Sequence, residues 1–158
     1  MPVPSSYLSD SFSSSFSPLI SLVYISASSH LMNNDELEAI LKKSRENNTE
    51  LGLTGMLLYY EGAFMQVLEG SEETVRRLYT RIAQDPRHFR VVPLLEEYIE
   101  ERNFPDWSMG FHRMQQDEVQ YLEGFTSFTE ADHFLGYFQE TPQKSLTLLQ
   151  NFRKTSSR

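Results

Sequence analysis

The chain has 158 residues, 14 Lys and Arg against 22 Asp and Glu, a formal net charge of −8 and no cysteine. That balance offers no basic face to a nucleic acid or an anionic membrane, so neither partner is expected. The absence of cysteine rules out disulfides, Fe–S clusters and thiolate zinc sites, and the scattered His30, His88, His112 and His133 give no metal-ligand spacing. The length suits one domain, and the longest apolar stretch, Leu19–Ala27, is too short to span a bilayer. No Lys or Arg precedes Lys42, so no secretory signal is expected and the chain reads as cytoplasmic.

Residues 1–18 are Ser-rich with Pro2, Pro4 and Pro18. They read as a flexible extension whose Tyr7, Leu8, Phe12 and Phe16 could dock on a surface. Order is expected from Ile20, where Leu22, Tyr24 and Ser26 alternate with Val23 and Ile25 in a strand pattern. A helix follows, with Asn33 as N-cap, Glu36 completing a capping box, and Leu37, Ile40, Leu41 and Ser44 on one stripe. Asn47 and Asn48 mark its expected end. Two strands, Gly52–Tyr60 and Ala63–Glu69, flank the Glu61-Gly62 turn signal. A second helix is predicted from Ser71 to Asp85-Pro86, its Val75, Leu78, Tyr79 and Ile82 forming an amphipathic face. Val91–Ile99 reads as a fourth strand that Pro93 confines to an edge or a bulge, and Trp107–His112 as a fifth.

The order β-α-β-β-α-β-β predicts an α+β, ferredoxin-like fold: one mixed sheet with two helices on one face. In the tail, Thr141-Pro142 marks a helix start with Leu146, Leu149 and Phe152 behind it. Ala131, Phe134, Leu135 and Phe138 are also helically spaced, although Gly136 interrupts them. The expected organisation is an extension over 1–18, a folded domain over 19–114 and a helical tail over 115–158.

Three residues sit oddly in a plain core. Gln66 shares its strand face with Phe64 and Leu68, so its amide must find partners or cost a few kcal/mol. Tyr24 lies mid-strand between Leu22 and Ser26, and Asn48 lies at the end of the first helix. Each has an ordinary explanation alone: a backbone-bonded strand amide, a core tyrosine and a helix cap. Ile40, Ser44 and Asn48, however, share a helix face, and Ile82 with Asp85 lies one turn apart on the second helix beside Arg81. Two such helices side by side on a sheet could hold a flat ring between Ile40 and Ile82, with Asn48 at its polar edge.

Four segments in order resemble the BLUF family, the sensors of blue light using flavin. Leu22-Val23-Tyr24-Ile25-Ser26 looks like the family's first strand, and Asn47-Asn48-Thr49-Glu50-Leu51-Gly52-Leu53-Thr54-Gly55 like its asparagine pair and second strand. Phe64-Met65-Gln66-Val67-Leu68-Glu69-Gly70 looks like the glutamine strand, and Trp107-Ser108-Met109 like the last one. Arg81-Ile82 with Asp85-Pro86-Arg87-His88 is similar to the second-helix signature. The resemblance implies a non-covalently bound flavin, FAD with FMN as the alternative, with its ring between the two helices.

By this resemblance Asn48 bonds the pyrimidine end of the ring, with Asn47 and Ser44 nearby, and Gln66 sits between Tyr24 and the ring's N5/C4=O edge. Ile40, Ile82 and Phe64 would pack the ring, while Arg81, Asp85, Arg87 and His88 would lie along its edge and the phosphate side. The implied photochemistry takes an electron and a proton from Tyr24. It then leaves Gln66 with changed hydrogen bonds that shift flavin absorption to the red. Trp107 and Met109, which alternation places on one strand face, would pass the change outward, and either could face the flavin.

The tail resembles neither the cyclase nor the phosphodiesterase that long members append, so a non-enzymatic sensor is expected. Short members carry two C-terminal helices, often form homo-oligomeric rings and in some cases bind a response-regulator-like protein. An acyl phosphatase would need an anion-cradling, glycine-rich loop, and Ser28–Asn34 has no glycine. A non-photoactive flavin or partner-binding module would keep Asn48 without needing Tyr24 and Gln66 together.

Overall fold

The computed structural model describes residues 17–115, 118 and 131–153, the side chains of residues 131 and 132 excepted. The expected docking residues of the leader, Tyr7, Leu8, Phe12 and Phe16, lie outside the described residues. The elements are β1 (Leu19–Ser28), α1 (Asn34–Leu51), β2 (Thr54–Tyr60), β3 (Ala63–Ser71), α2 (Glu72–Ala83), β4 (His88–Tyr98), β5 (Gly110–Arg113), α3 (Ala131–Glu140) and α4 (Gln143–Asn151). The sheet order is β4-β1-β3-β2-β5, with β1 antiparallel to both β3 and β4, and β2 antiparallel to β3 but parallel to β5. This is the expected α+β, ferredoxin-like arrangement.

Local chemistry sets the boundaries. The capping box is complete: the Glu36 amide donates to Asn33 Oδ1 at 2.9 Å and the Asn33 amide to Glu36 Oε1 at 3.1 Å. Glu61 and Gly62 both have positive φ, 45° and 91°, the signature of a tight hairpin turn whose twist suits the flanking strands. That turn fixes the β2–β3 register, while β1 pairs so that Tyr24 stands directly opposite Gln66. A slip of one residue would send either side chain to the other face.

Alternation along the strands builds two cores. One face carries Leu22, Tyr24, Leu57, Phe64 and Leu68 under α1 and α2. The other carries Val23, Ile25, Met56, Leu58, Met65 and Val67 under Phe134, Leu135, Phe138, Leu148 and Leu149 from α3 and α4. The tail helices therefore bury the second face of the sheet and share its core, with Gly136 absorbed inside α3.

Three boundaries differ from expectation by three residues or more. Helix α1 runs on to Leu51 because no residue breaks it before Gly52, whose φ of 70° supplies the left-handed cap. Asn48 is thus inside the last turn, and its carbonyl accepts from the Gly52 and Leu53 amides. Strand β4 starts earlier, at His88, and Pro93 sits in the edge strand next to a register shift opposite Tyr24. Strand β5 starts only at Gly110, so Trp107 and Met109 do not alternate on one strand face. Trp107 belongs to the core under α3 and α4, and Met109 to the core under α1 and α2.

Candidate functional site

A cavity of about 220 Å³ opens between α1 and α2 above the sheet. Its floor is Tyr24 of β1, Leu57 of β2, and Phe64 and Gln66 of β3. Helix α1 contributes Ile40, Lys43, Ser44, Asn47 and Asn48, and α2 contributes Leu78, Arg81 and Ile82. Asp85, Arg87 and His88 close the end beyond α2. The structure so brings together the residues singled out from sequence, save Trp107, which faces the other core, and Met109, which stands behind Gln66.

At the floor, the Tyr24 hydroxyl donates to Gln66 Oε1, and Gln66 Nε2 donates to Met109 Sδ at 3.3 Å. Tyr24 and Gln66 are 3% and 5% exposed, so this chain of bonds is shut off from bulk water. The Tyr79 ring meets the Tyr24 ring edge-on at 5.6 Å between centroids. Burial pushes the Tyr24 phenol well above the usual tyrosine range, and Tyr79 and Asp85 push it in the same direction.

The sign of that shift makes a prediction. The folded state holds the proton more tightly than the unfolded chain, so the contribution to stability is full below about pH 10 and is lost as pH rises beyond it. In an alkaline titration, the tyrosinate absorption of wild type minus Tyr24→Phe should stay flat until the protein unfolds. A step in the ordinary tyrosine range would contradict this environment for Tyr24.

Charges gather at the rim. Arg87 Nε and Nη2 both bond the Asp85 carboxylate at 2.5–3.0 Å, and the hydrogen bond from Arg87 holds Asp85 down at about 2. The Arg87 charge is therefore already matched. His88 Nε2 donates to the Ile82 carbonyl, which can only accept, and Nδ1 faces Ser26 Oγ at 2.9 Å. It ties the end of α2 to β1. Lys43 and Arg81 form no ion pair among the described residues, which leaves two uncompensated cations on the cavity wall.

Asn48 completes the site. It is 2% exposed, its Nδ2 donates to the Ser108 carbonyl at 2.7 Å, and its Oδ1 receives no hydrogen bond among the described residues. A buried amide oxygen on a cavity wall calls for a donor from whatever fills the cavity. Apolar flanks at Ile40 and Ile82, a polar floor at Gln66, an acceptor at Asn48 and cations at Lys43 and Arg81 fit a flat heteroaromatic ring with N–H and carbonyl edges and an anionic tail. The donor set thus suits a phosphorylated flavin.

Sequence reasoning missed Lys43, Leu57 and Leu78 in the wall. Leu57 was legible, since it lies opposite Gln66 on the neighbouring strand once the hairpin is assigned. Arg45 was missed too; its Nε donates to the Met109 carbonyl at 2.8 Å. Glu69, on the opposite sheet face, is fully buried and accepts from the Asn103 amide at 2.8 Å and the Phe104 amide at 2.9 Å.

Known proteins resemble this chain over the elements that frame the cavity. The family model described as "Sensors of blue-light using FAD", BLUF, matches residues 19–110. The photoactivated adenylate cyclase subunit beta of Euglena longa is 40% identical over 94 residues, 59% of this chain and 11% of that protein. The blue light- and temperature-regulated antirepressor BluF of Escherichia coli (strain K12) is 36% identical over 89 residues, 54% of this chain and 21% of that protein. The chain thus spans about a tenth to a fifth of the length of these relatives. Among solved structures, the dark state of BlrB, a BLUF protein, superposes with a TM-score of 0.67 at 29% identity, covering 85% of this chain and 94% of that one. The BlsA ground state gives 0.65 at 27% identity, covering 81% and 87%. With its family model matching from β1 to the start of β5, the chain belongs to the BLUF family of flavin-binding blue-light sensors.

Proposed function

We propose that Tyr24 and Gln66 are the photochemical pair of this sensor, held beside the flavin ring on the floor of the cavity between α1 and α2. The observation that carries this is the solvent-excluded chain from the Tyr24 hydroxyl through the Gln66 amide to the Met109 sulfur. Bound flavin supplies light absorption and, once excited, an acceptor for one electron from Tyr24.

The residues do the rest. Ile40 and Ile82 would flank the ring, Leu57 and Phe64 would keep water from its floor side, and Asn48 Oδ1 would accept from a ring N–H. Gln66 Oε1 is placed to receive the proton that Tyr24 Oη gives up. An amide carries a donor end and an acceptor end, so rotation or tautomerisation would change what Gln66 presents to the ring while Tyr24 regains both its electron and its proton. The rearranged Gln66 amide would donate more strongly to a ring carbonyl, which would shift the absorption to the red.

The unmatched charges of Lys43 and Arg81 support a flavin with phosphate, and the family model's description, which names FAD, favours FAD over FMN. Residues 19–114 act as the flavin-binding unit, and α3 and α4 of the 115–158 tail as the face whose contacts light alters. The proposed output is a light-dependent protein contact, with a homo-oligomer and a response-regulator-like protein as partners in the cytoplasm. No helix among the described residues is long and apolar enough to cross a membrane.

The test is spectroscopic. Purified protein should be yellow, and blue light should move its main band reversibly to the red. Asn48→Ala should lower flavin retention before it alters the shift. Yellow protein without a light response would leave a non-photoactive flavin module, and protein that stays colourless after flavin loading would sink the proposal.

A further inference from the structure

Three successive carbonyls ahead of β5 are each held by a donor from a different place. The Gly55 amide of β2 donates to Trp107 O at 3.0 Å, Asn48 Nδ2 to Ser108 O at 2.7 Å, and Arg45 Nε to Met109 O at 2.8 Å. Arg45 and Asn48 are three residues apart, so they project from one side of α1 onto the same segment. The sulfur of the residue whose carbonyl Arg45 holds is the acceptor for Gln66 Nε2.

A thioether is a weak acceptor, so it selects an amide orientation only where the backbone holds it still. With the sulfur in place, Gln66 Nε2 faces Met109 and Gln66 Oε1 faces Tyr24. Turning the amide over would set its oxygen against a sulfur that has no hydrogen to give. On the far side of the same backbone, a Cβ at Gly110 would lie 2.0 Å from Trp107 Cε3. The indole is packed on the glycine, so displacement of the Met109 backbone also disturbs Trp107.

We infer that Arg45 is a positioning residue for the photochemical amide: by holding the Met109 carbonyl it keeps the Met109 sulfur on Gln66 and so sets the dark orientation of that side chain. The inference rests on the reading of Gln66 as the responding amide. Arg45 lies outside the cavity wall, so flavin retention does not depend on it.

The test uses the flavin-loaded protein with Arg45→Gln, Arg45→Lys and Met109→Leu. Arg45→Gln should retain flavin and slow dark recovery severalfold, and Met109→Leu should do so to a similar extent. The double variant should be no slower than Met109→Leu alone, because both changes remove one device. Multiplying effects in the double variant would overturn the inference.

A second readout needs no photocycle. Trp107 is the chain's single tryptophan. Its emission in the dark protein should move to the red and quench more readily in Arg45→Gln, and Arg45→Lys, which keeps a donor, should restore it. An unchanged Trp107 signal in Arg45→Gln would refute the positioning role even if the light response of the wild type were intact. A wild type without any light response would instead fail the proposed function, with Trp107 emission still deciding whether Arg45 holds the segment.

Discussion

Gln66→Leu will keep its flavin and lose the light-induced red shift entirely, and Tyr24→Phe will do the same. Each change removes one end of the bond between the Tyr24 hydroxyl and Gln66 Oε1. Leucine fills most of the space of glutamine but neither accepts a proton nor changes its bonding to a ring. Phenylalanine keeps the packing against Tyr79 and has no proton to give. The stability costs distinguish this from simple damage. Either single change strands a buried polar group, at about 1–3 kcal/mol, whereas the double change Tyr24→Phe/Gln66→Leu replaces both partners and should recover much of that loss. Light-minus-dark spectra and denaturant midpoints measure the two effects separately. A normal shift in either single variant would remove that residue from the photochemistry.

The second large effect lies on the face of the sheet away from the cavity. Glu69→Ala should cost about 2–4 kcal/mol, because it orphans one buried and two half-buried donors together. The carboxylate accepts from the Asn103 amide at 2.8 Å, the Asn103 side chain at 3.1 Å and the Phe104 amide at 2.9 Å. The 102–104 segment that it anchors is joined to the C-terminal end of the chain, where Gln150 Nε2 donates to Asn103 Oδ1 at 3.0 Å and Arg153 Nη1 to Asn103 O at 2.5 Å. A fall in the urea midpoint of the flavin-loaded protein checks it, and Glu69→Gln, which keeps one acceptor oxygen, should lie between. A loss below about 1 kcal/mol would mean that water replaces the carboxylate and that the anchor is dispensable.

Periodicity carried the sheet and both cavity helices because each buries one face, so apolar spacing records which side is inside. The same logic exposed Phe134, Leu135 and Phe138 in the tail, with Gly136 a small penalty that packing overrides. It misjudged the end of α1, since Asn47 and Asn48 are weak helix formers but Gly52 is the first residue suited to a left-handed cap. It also put Trp107 and Met109 on one face, because alternation presumes an extended backbone. Side chains of α1, more than fifty residues earlier in the chain, hold that segment in another course.

Arg45 stands in the run Lys-Lys-Ser-Arg-Glu-Asn, which looks like any solvated helix surface. Nothing local shows that one guanidinium in it reaches a distant carbonyl. Glu69 did leave a trace: in Met65-x-Val67-x-Glu69 a carboxylate occupies the third place of an apolar face, and the strand has no turn there to release it to water. Tyr24 and Gln66 were visible as oddities, but their meeting depends on a register that pairs residues 42 apart.

Strand β5 has four residues, lies at the edge of the sheet and, among the described residues, pairs in parallel with β2 alone. Few ladder bonds mean that its local opening draws on only a small part of the free energy that holds the whole domain together. The four strands β4-β1-β3-β2 can keep the hydrogen bonds among themselves while this fifth one exchanges its amide protons with solvent. The domain so combines a four-stranded platform, which keeps the Tyr24–Gln66 geometry, with one peripheral element that opens at a fraction of the cost of unfolding.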